Sequence, residues 1–161
     1  MATGLALGIY AQENEGRFPL HTNGYGDALL LLLPHGAFPE SLTGPGFDAA
    51  IFERASHSGG DVPENQCGRV YIPGLSETNN PAIAIFFDKL ASPGGDHCHF
   101  FHRFTAPMGR EVWTIGGSRR FILERDWPSF MNEQLALLVE AGFTGTAAEQ
   151  FYAETKTASK R

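Results

Sequence analysis

The residues best suited to chemistry in this chain crowd into one short run, Asp96-His97-Cys98-His99-Phe100-Phe101-His102, with three histidines and one cysteine. Alternate side chains share a face in an extended backbone, so His97 and His99 could both reach one zinc or copper ion. Asp96, Cys98 or His102 would complete the set only where the backbone bends. His97, His99 and His102 are therefore the candidate metal ligands. Against them, zinc ligand pairs usually stand two or more residues apart on tight turns, and no second Cys or His pair lies at matching distance. The alternative is a loop of surface histidines flanking buried Phe100 and Phe101.

The cysteines, Cys67 and Cys98, could close a loop of about thirty residues, which would contribute roughly 3 to 4 kcal/mol in an oxidising compartment. The other reading is two separate thiols, at least one of them buried. Cys98 cannot serve both a metal and Cys67.

Other groupings carry weaker chemistry. His57-Ser58-Gly59-Gly60-Asp61 holds the residue types of a hydrolytic triad, but a triad needs side chains converging from different elements, and neighbours in a glycine loop cannot align so. The pentapeptide GxSxG is absent. The pairs Gly59-Gly60, Gly94-Gly95 and Gly116-Gly117 lack the Lys-Ser or Lys-Thr of a phosphate loop and the spacing of a dinucleotide fingerprint, so they read as turns. Asp48, Asp61, Glu64, Glu77 and Asp88 could offer oxygens to calcium, though without EF-hand spacing. Phe38, Phe47 and Phe104, in loops, would either pack under those loops or cover a neighbouring subunit. Trp113 or Tyr71, if exposed beside polar loops, would suit a surface-ligand binder.

The elements that must position these groups follow from composition and pattern. The 161 residues, 42% hydrophobic, suit one domain spanning 1–161, and 19 glycines with ten prolines predict a loop-rich α+β body. A net charge of −6 without a basic stripe gives no footprint for nucleic acid. The longest apolar run, from Ala28 to Leu33, is far short of a membrane span, and no leader pattern is present, so any export signal would lie outside this sequence.

Residues 3–15 (TGLALGIYAQENE) predict an amphipathic helix, with Leu5, Ile9 and Gln12 on one side, Ala6, Tyr10 and Ala11 near it, and Gly16 ending it. Its weak start suggests a helix continuing upstream. Tyr25 to Leu33 predicts a second helix stopped by Pro34 and Gly36, and 38–66 a long surface loop with a helical turn near Asp48 to Ser56. Strands are expected at Gly68 to Ile72, Ala82 to Phe87, Arg110 to Ile115 and Ser118 to Leu123, the last two joined at Gly116-Gly117, giving an antiparallel sheet of three or four strands. Asp126 should cap a helix from Trp127 to about Ala141, with Gly142 ending it, and a last helix should begin at Thr146.

Three blocks, LALGIYAQENEGRFP, VYIPGLSETNNPAIAIFFDK and REVWTIGGSRRFILERDWP, resemble in order the prepilin-type proteins of planctomycete-like and verrucomicrobial bacteria. The first block is the distinctive one, matching the pattern GLALxxYAxxNxGxFP. The family turn reads DGHV; here it is Ile115-Gly116-Gly117-Ser118, without the aspartate and histidine. The resemblance implies a pilin-like fold in which 1–16 is the remnant of the N-terminal helix. It also implies a precursor anchored in the inner membrane by an upstream helix and a periplasmic or extracellular body. Such a protein is a structural subunit or minor pseudopilin of a type IV pilus-like or type II secretion filament, with other pilin subunits as partners. Secretion pseudopilins also imply calcium in a loop near the sheet. The contrasting expectation is a metal-binding module or metal-dependent enzyme using the His97 to His102 cluster with zinc; otherwise no enzyme is expected.

Overall fold

A computed structural model describes residues 2–94 and 106–143 of the chain. Five antiparallel strands form one sheet: β1 (Arg69–Tyr71), β2 (Ala84–Asp88), β3 (Ser92–Pro93), β4 (Met108–Thr114) and β5 (Arg119–Leu123). β4 is the organising strand. One of its edges pairs along β5, from Gly109 opposite Leu123 to Trp113 opposite Arg119. Its other edge is shared, with β3 opposite Met108 and Gly109 and β2 opposite Val112, Trp113 and Thr114. β1 then pairs outside β2. The fold is α+β as expected, but the sheet has five strands where three or four were predicted; the additional pairing is β3, two residues long and too short to leave a periodic pattern.

β2 is buried at every position, so its sequence is a continuous apolar run instead of an alternation. Alternation along the strands sorts the sheet into two faces. Arg69, Tyr71, Phe86, Asp88, Glu111, Trp113 and Arg119 share one; Val70, Phe87, Arg110, Val112 and Ile122 share the other.

The first face receives α1 (Ala2–Glu13), whose Thr3, Ala6, Leu7 and Ala11 are buried at the i, i+3, i+4, i+8 spacing of one helical stripe. Gly16, at φ +77°, closes the helix by donating its N–H to the Ala11 carbonyl at 2.8 Å. The predicted second helix is shorter, α2 (Tyr25–Leu30), and Pro34 falls in a separate 3-10 turn over Leu33–His35. Gly26 lets α2 approach the chain closely: a Cβ there would stand 2.0 Å from the Val62 carbonyl oxygen.

The stretch 38–66 corrects the sequence reading. It is not a bare surface loop but holds α3 (Pro39–Thr43), α4 (Ala50–Ser58) and a 3-10 turn, and it buries Leu42, Ile51, Phe52, Ala55 and Val62. Glycine, proline and serine masked the apolar spacing of these short helices; Pro39 opens α3, and Gly44 and Gly59 end the two.

The second face is covered by α5 (Trp127–Glu140). Its Trp127 packs 5.6 Å from Phe87, ring centre to ring centre, and Phe130 extends the cluster. Gln134, buried, accepts the Ala84 N–H at 2.7 Å and donates to the Ala82 carbonyl at 3.3 Å, serving the start of β2 where its register with β4 shifts. Asp126 does not cap α5 through its side chain as predicted. Its backbone is already helical, its carbonyl accepts from Phe130, and its carboxylate leans toward Arg125 at 3.7 Å. The helix expected from Thr146 lies outside the described residues, and no helix among the described residues is long and apolar enough to cross a membrane.

Candidate functional site

The face under α1 holds a row of charges that runs across the sheet. Arg69 on β1 donates from Nε to Asp88 on β2 at 2.9 Å, and its Nη2 lies 4.0 Å from Glu111 on β4. Glu111 in turn pairs with Arg119 on β5. Arg69, Asp88 and Glu111 are buried, and only Arg119 reaches solvent. The row forms because strand register sets Arg69 opposite Asp88, and alternation keeps Glu111 on the same face.

Aromatic rings complete the setting. The Arg69 guanidinium stands 4.6 Å from the Trp113 ring and 5.3 Å from that of Phe86, and Arg119 lies 5.3 Å from Trp113. Burial pushes the Asp88 carboxyl up to about 6, against the opposing pull of Arg69 and of the Glu111 N–H, which donates to it at 3.0 Å. Burial likewise raises the Tyr71 hydroxyl well above its usual value while that hydroxyl donates to the Pro19 carbonyl at 2.7 Å.

The Ser41 carbonyl ties this row to α1. The Ser41 oxygen of α3 accepts from Arg69 and from the Thr3 hydroxyl of α1, the latter at 3.3 Å. α1 thus lies in a trough between α3 on one flank and the β4–β5 hairpin on the other, with Gly4 close enough that a Cβ would stand 3.4 Å from the Trp113 ring. At its far end the Tyr10 ring meets His35 edge-on at 5.3 Å, and His35 lies 3.4 Å from Glu13.

What α1 does not bury is also apolar. Leu5 is 67% exposed and Ile9 half-buried, so the stripe read from the sequence as Leu5, Ile9 and Gln12 is the outward one. Phe38, 62% exposed at the start of α3, adds to it an apolar residue from the flanking element.

Hollows border α1 among the described residues. An open groove of about 680 Å³ runs past its C-terminal end, between Tyr10, Glu13 and Glu15 on one side and Phe18, Leu20 and Leu75 on the other. A narrower cleft of about 220 Å³ lies between Gly4 and Gly8 of α1 and the hairpin at Gly116 and Gly117. Gly117, at φ +77°, holds the turn as the sequence predicted.

The residues singled out from the sequence fare differently. His97, Cys98, His99 and His102 lie outside the described residues, as does Phe104. Cys67 is buried beside α2, its Sγ 3.6 Å from the Pro63 carbonyl oxygen. His57 sits 2.7 Å from the Glu53 carbonyl oxygen and Ser58 donates to the Arg54 carbonyl, while Asp61 accepts from Asn23, so the three triad types do not converge. The carboxylates considered for calcium are dispersed: Asp48 accepts the Ala50 N–H, Glu64 accepts the Tyr25 N–H, and Asp88 is in the buried row. No cluster of three or more metal-ligating side chains occurs among the described residues. Trp113 and Tyr71 are both buried, which overturns their reading as exposed ligand-binding aromatics. The charged row escaped the sequence reading because Arg69, Glu111 and Arg119 sat inside strands read only for their apolar residues, while Asp88, one residue beyond its expected strand, was considered only as a calcium ligand. An arginine or carboxylate at an inward position of each predicted strand was the available signal.

Comparison with protein-family models, with curated proteins and with solved structures found no match in any of the three.

Proposed function

We propose that the chain is the globular part of a pilin-like subunit, a structural subunit or minor pseudopilin of a type IV pilus-like or type II secretion filament, which acts by assembly and not by catalysis. The observation that carries this reading is α1. It lies along an antiparallel sheet with one apolar stripe buried, and it keeps a second, Leu5 with Ile9, turned outward. A helix apolar on both sides is fully buried only when another surface covers it. Together with the resemblance of residues 5–19 to the prepilin-type pattern, this makes α1 the polymerisation element and other subunits its partners. In this reading the body is periplasmic or extracellular and its precursor is anchored in the inner membrane.

The test is cross-linking in the producing cell. Leu5→Cys and Ile9→Cys, made singly in the full-length gene product and treated with a bismaleimide, should give dimers and larger ladders that the unsubstituted protein does not. Monomer alone from both positions overturns the assembly reading.

A further inference from the structure

The cleft between α1 and the β4–β5 hairpin has the chemistry of a small-molecule site. Its walls are apolar: Leu7, Phe18, Ile85 and the indole of Trp113. Glycine keeps it open, since a Cβ added at Gly8 would meet nothing within 4 Å. At about 220 Å³ it is smaller than the roughly 300 to 1,000 Å³ of drug-sized sites, so its occupant is fragment-sized.

Among the described residues one ionisable side chain lines the cleft, that of Glu77, a solvent-exposed residue. Its backbone N–H donates to the Gly16 carbonyl at 2.8 Å, fixing the residue beside the end of α1. Its carboxylate has no hydrogen-bond or ion-pair partner among the described residues. The guanidinium groups nearest the Trp113 wall are each matched, Arg69 by Asp88 and Arg119 by Glu111, so the exposed carboxylate of Glu77 is the charge offered at the mouth of the cleft. An apolar slot with a carboxylate at its solvent-exposed mouth favours a cation on a short apolar body.

We infer that the cleft binds a small organic ammonium ion, its apolar body against Leu7, Phe18 and Trp113 and its charge on Glu77. This goes beyond the assembly reading and does not depend on it, because the site lies within one subunit.

The probe is 2-phenylethylamine at pH 7, with 3-phenylpropionate as the anionic counterpart, each titrated into ¹⁵N-labelled protein. The amine should give saturable shifts of the Trp113 indole N–H and the Gly116 and Gly117 amides, and the acid should not. Glu77→Gln should weaken binding by about two- to fivefold, the scale of an exposed ion pair. Gly8→Leu should abolish it by filling the cleft, with the rest of the spectrum retained, since the substitution enters open space in a helix. Absence of saturation, equal binding of the acid, or undiminished binding by folded Gly8→Leu each overturns the proposal.

Discussion

The two faces of the sheet carry the same device in different surroundings. Under α1, Arg69 stands 4.6 Å from Trp113; under α5, Arg110 stands 4.6 Å from Trp127. Arg110 is held by a two-pronged pair with Glu124, at 2.8 and 3.0 Å, and by the Lys89 carbonyl at 2.7 Å. Glu124 is a third exposed, whereas Asp88, the partner of Arg69, is wholly buried. The α5 face therefore keeps its ion pair at the edge of an aromatic core and lets water solvate one member. The α1 face places its charges inside, under a helix flanked by a cleft and an open groove. A stacked arginine alone does not tell which face seals its charges from water; the accessibility of its carboxylate partner does.

The sharpest way to break that comparison is to remove each arginine in turn. Arg69→Ala leaves Asp88 buried without its guanidinium and strips the Ser41 carbonyl of one donor, and a broken buried pair costs about 3 to 5 kcal/mol. Arg110→Ala leaves Glu124 able to turn to water, so its cost should be about 1 to 2 kcal/mol, mainly lost stacking and the bond to Lys89. Urea denaturation of both variants measures the difference. Equal losses would show that the two faces bury their charges alike.

Acidity separates the faces next. The Asp88 carboxyl titrates near 6 in the folded chain against 3.8 for the ordinary group. Between those values the folded state holds a proton that the unfolded chain has released, so the Asp88 contribution to stability falls as pH rises from about 4 to about 6, then levels off. The two-unit difference corresponds to at most about 3 kcal/mol. Denaturation midpoints of the wild type and Asp88→Asn, compared at pH 4.5 and 7, should show the variant gaining on the wild type as pH rises. A constant gap between them would place Asp88 outside this balance.

The same contrast governs what the sequence disclosed. The α5 face was largely legible: Trp127, Phe130, Gln134 and Leu138 recur at helical spacing, and β4 and β5 flank an evident turn. α1 was legible as a helix, but its outward and inward stripes are both apolar, so periodicity could not tell which one meets the sheet. α4 was legible only as a helical turn near Asp48 to Ser56, and α3 was hidden, because helices of nine and five residues between glycines give little periodic signal. The charged row was hidden for another reason: its members come from four strands, and only register brings Arg69, Asp88, Glu111 and Arg119 together. Of the candidate site only Asp88 was singled out from the sequence, and nothing in the sequence placed it beside Arg69 and Glu111.

The smallest expected effect has the opposite sign. Gly8 is inside α1, where glycine costs roughly 0.5 to 1 kcal/mol relative to alanine because the unfolded chain loses more freedom. Nothing lies within 4 Å of where its Cβ would stand, so Gly8→Ala should raise stability by about that amount without disturbing the sheet. Gly26→Ala is the matched control, since its Cβ would collide with the Val62 carbonyl oxygen, and it should destabilise. Thermal unfolding of the two variants reads both signs. A loss of stability in Gly8→Ala would mean that the α1 face is as tightly closed as the α5 face, and that the space beside the helix is not open in the folded protein.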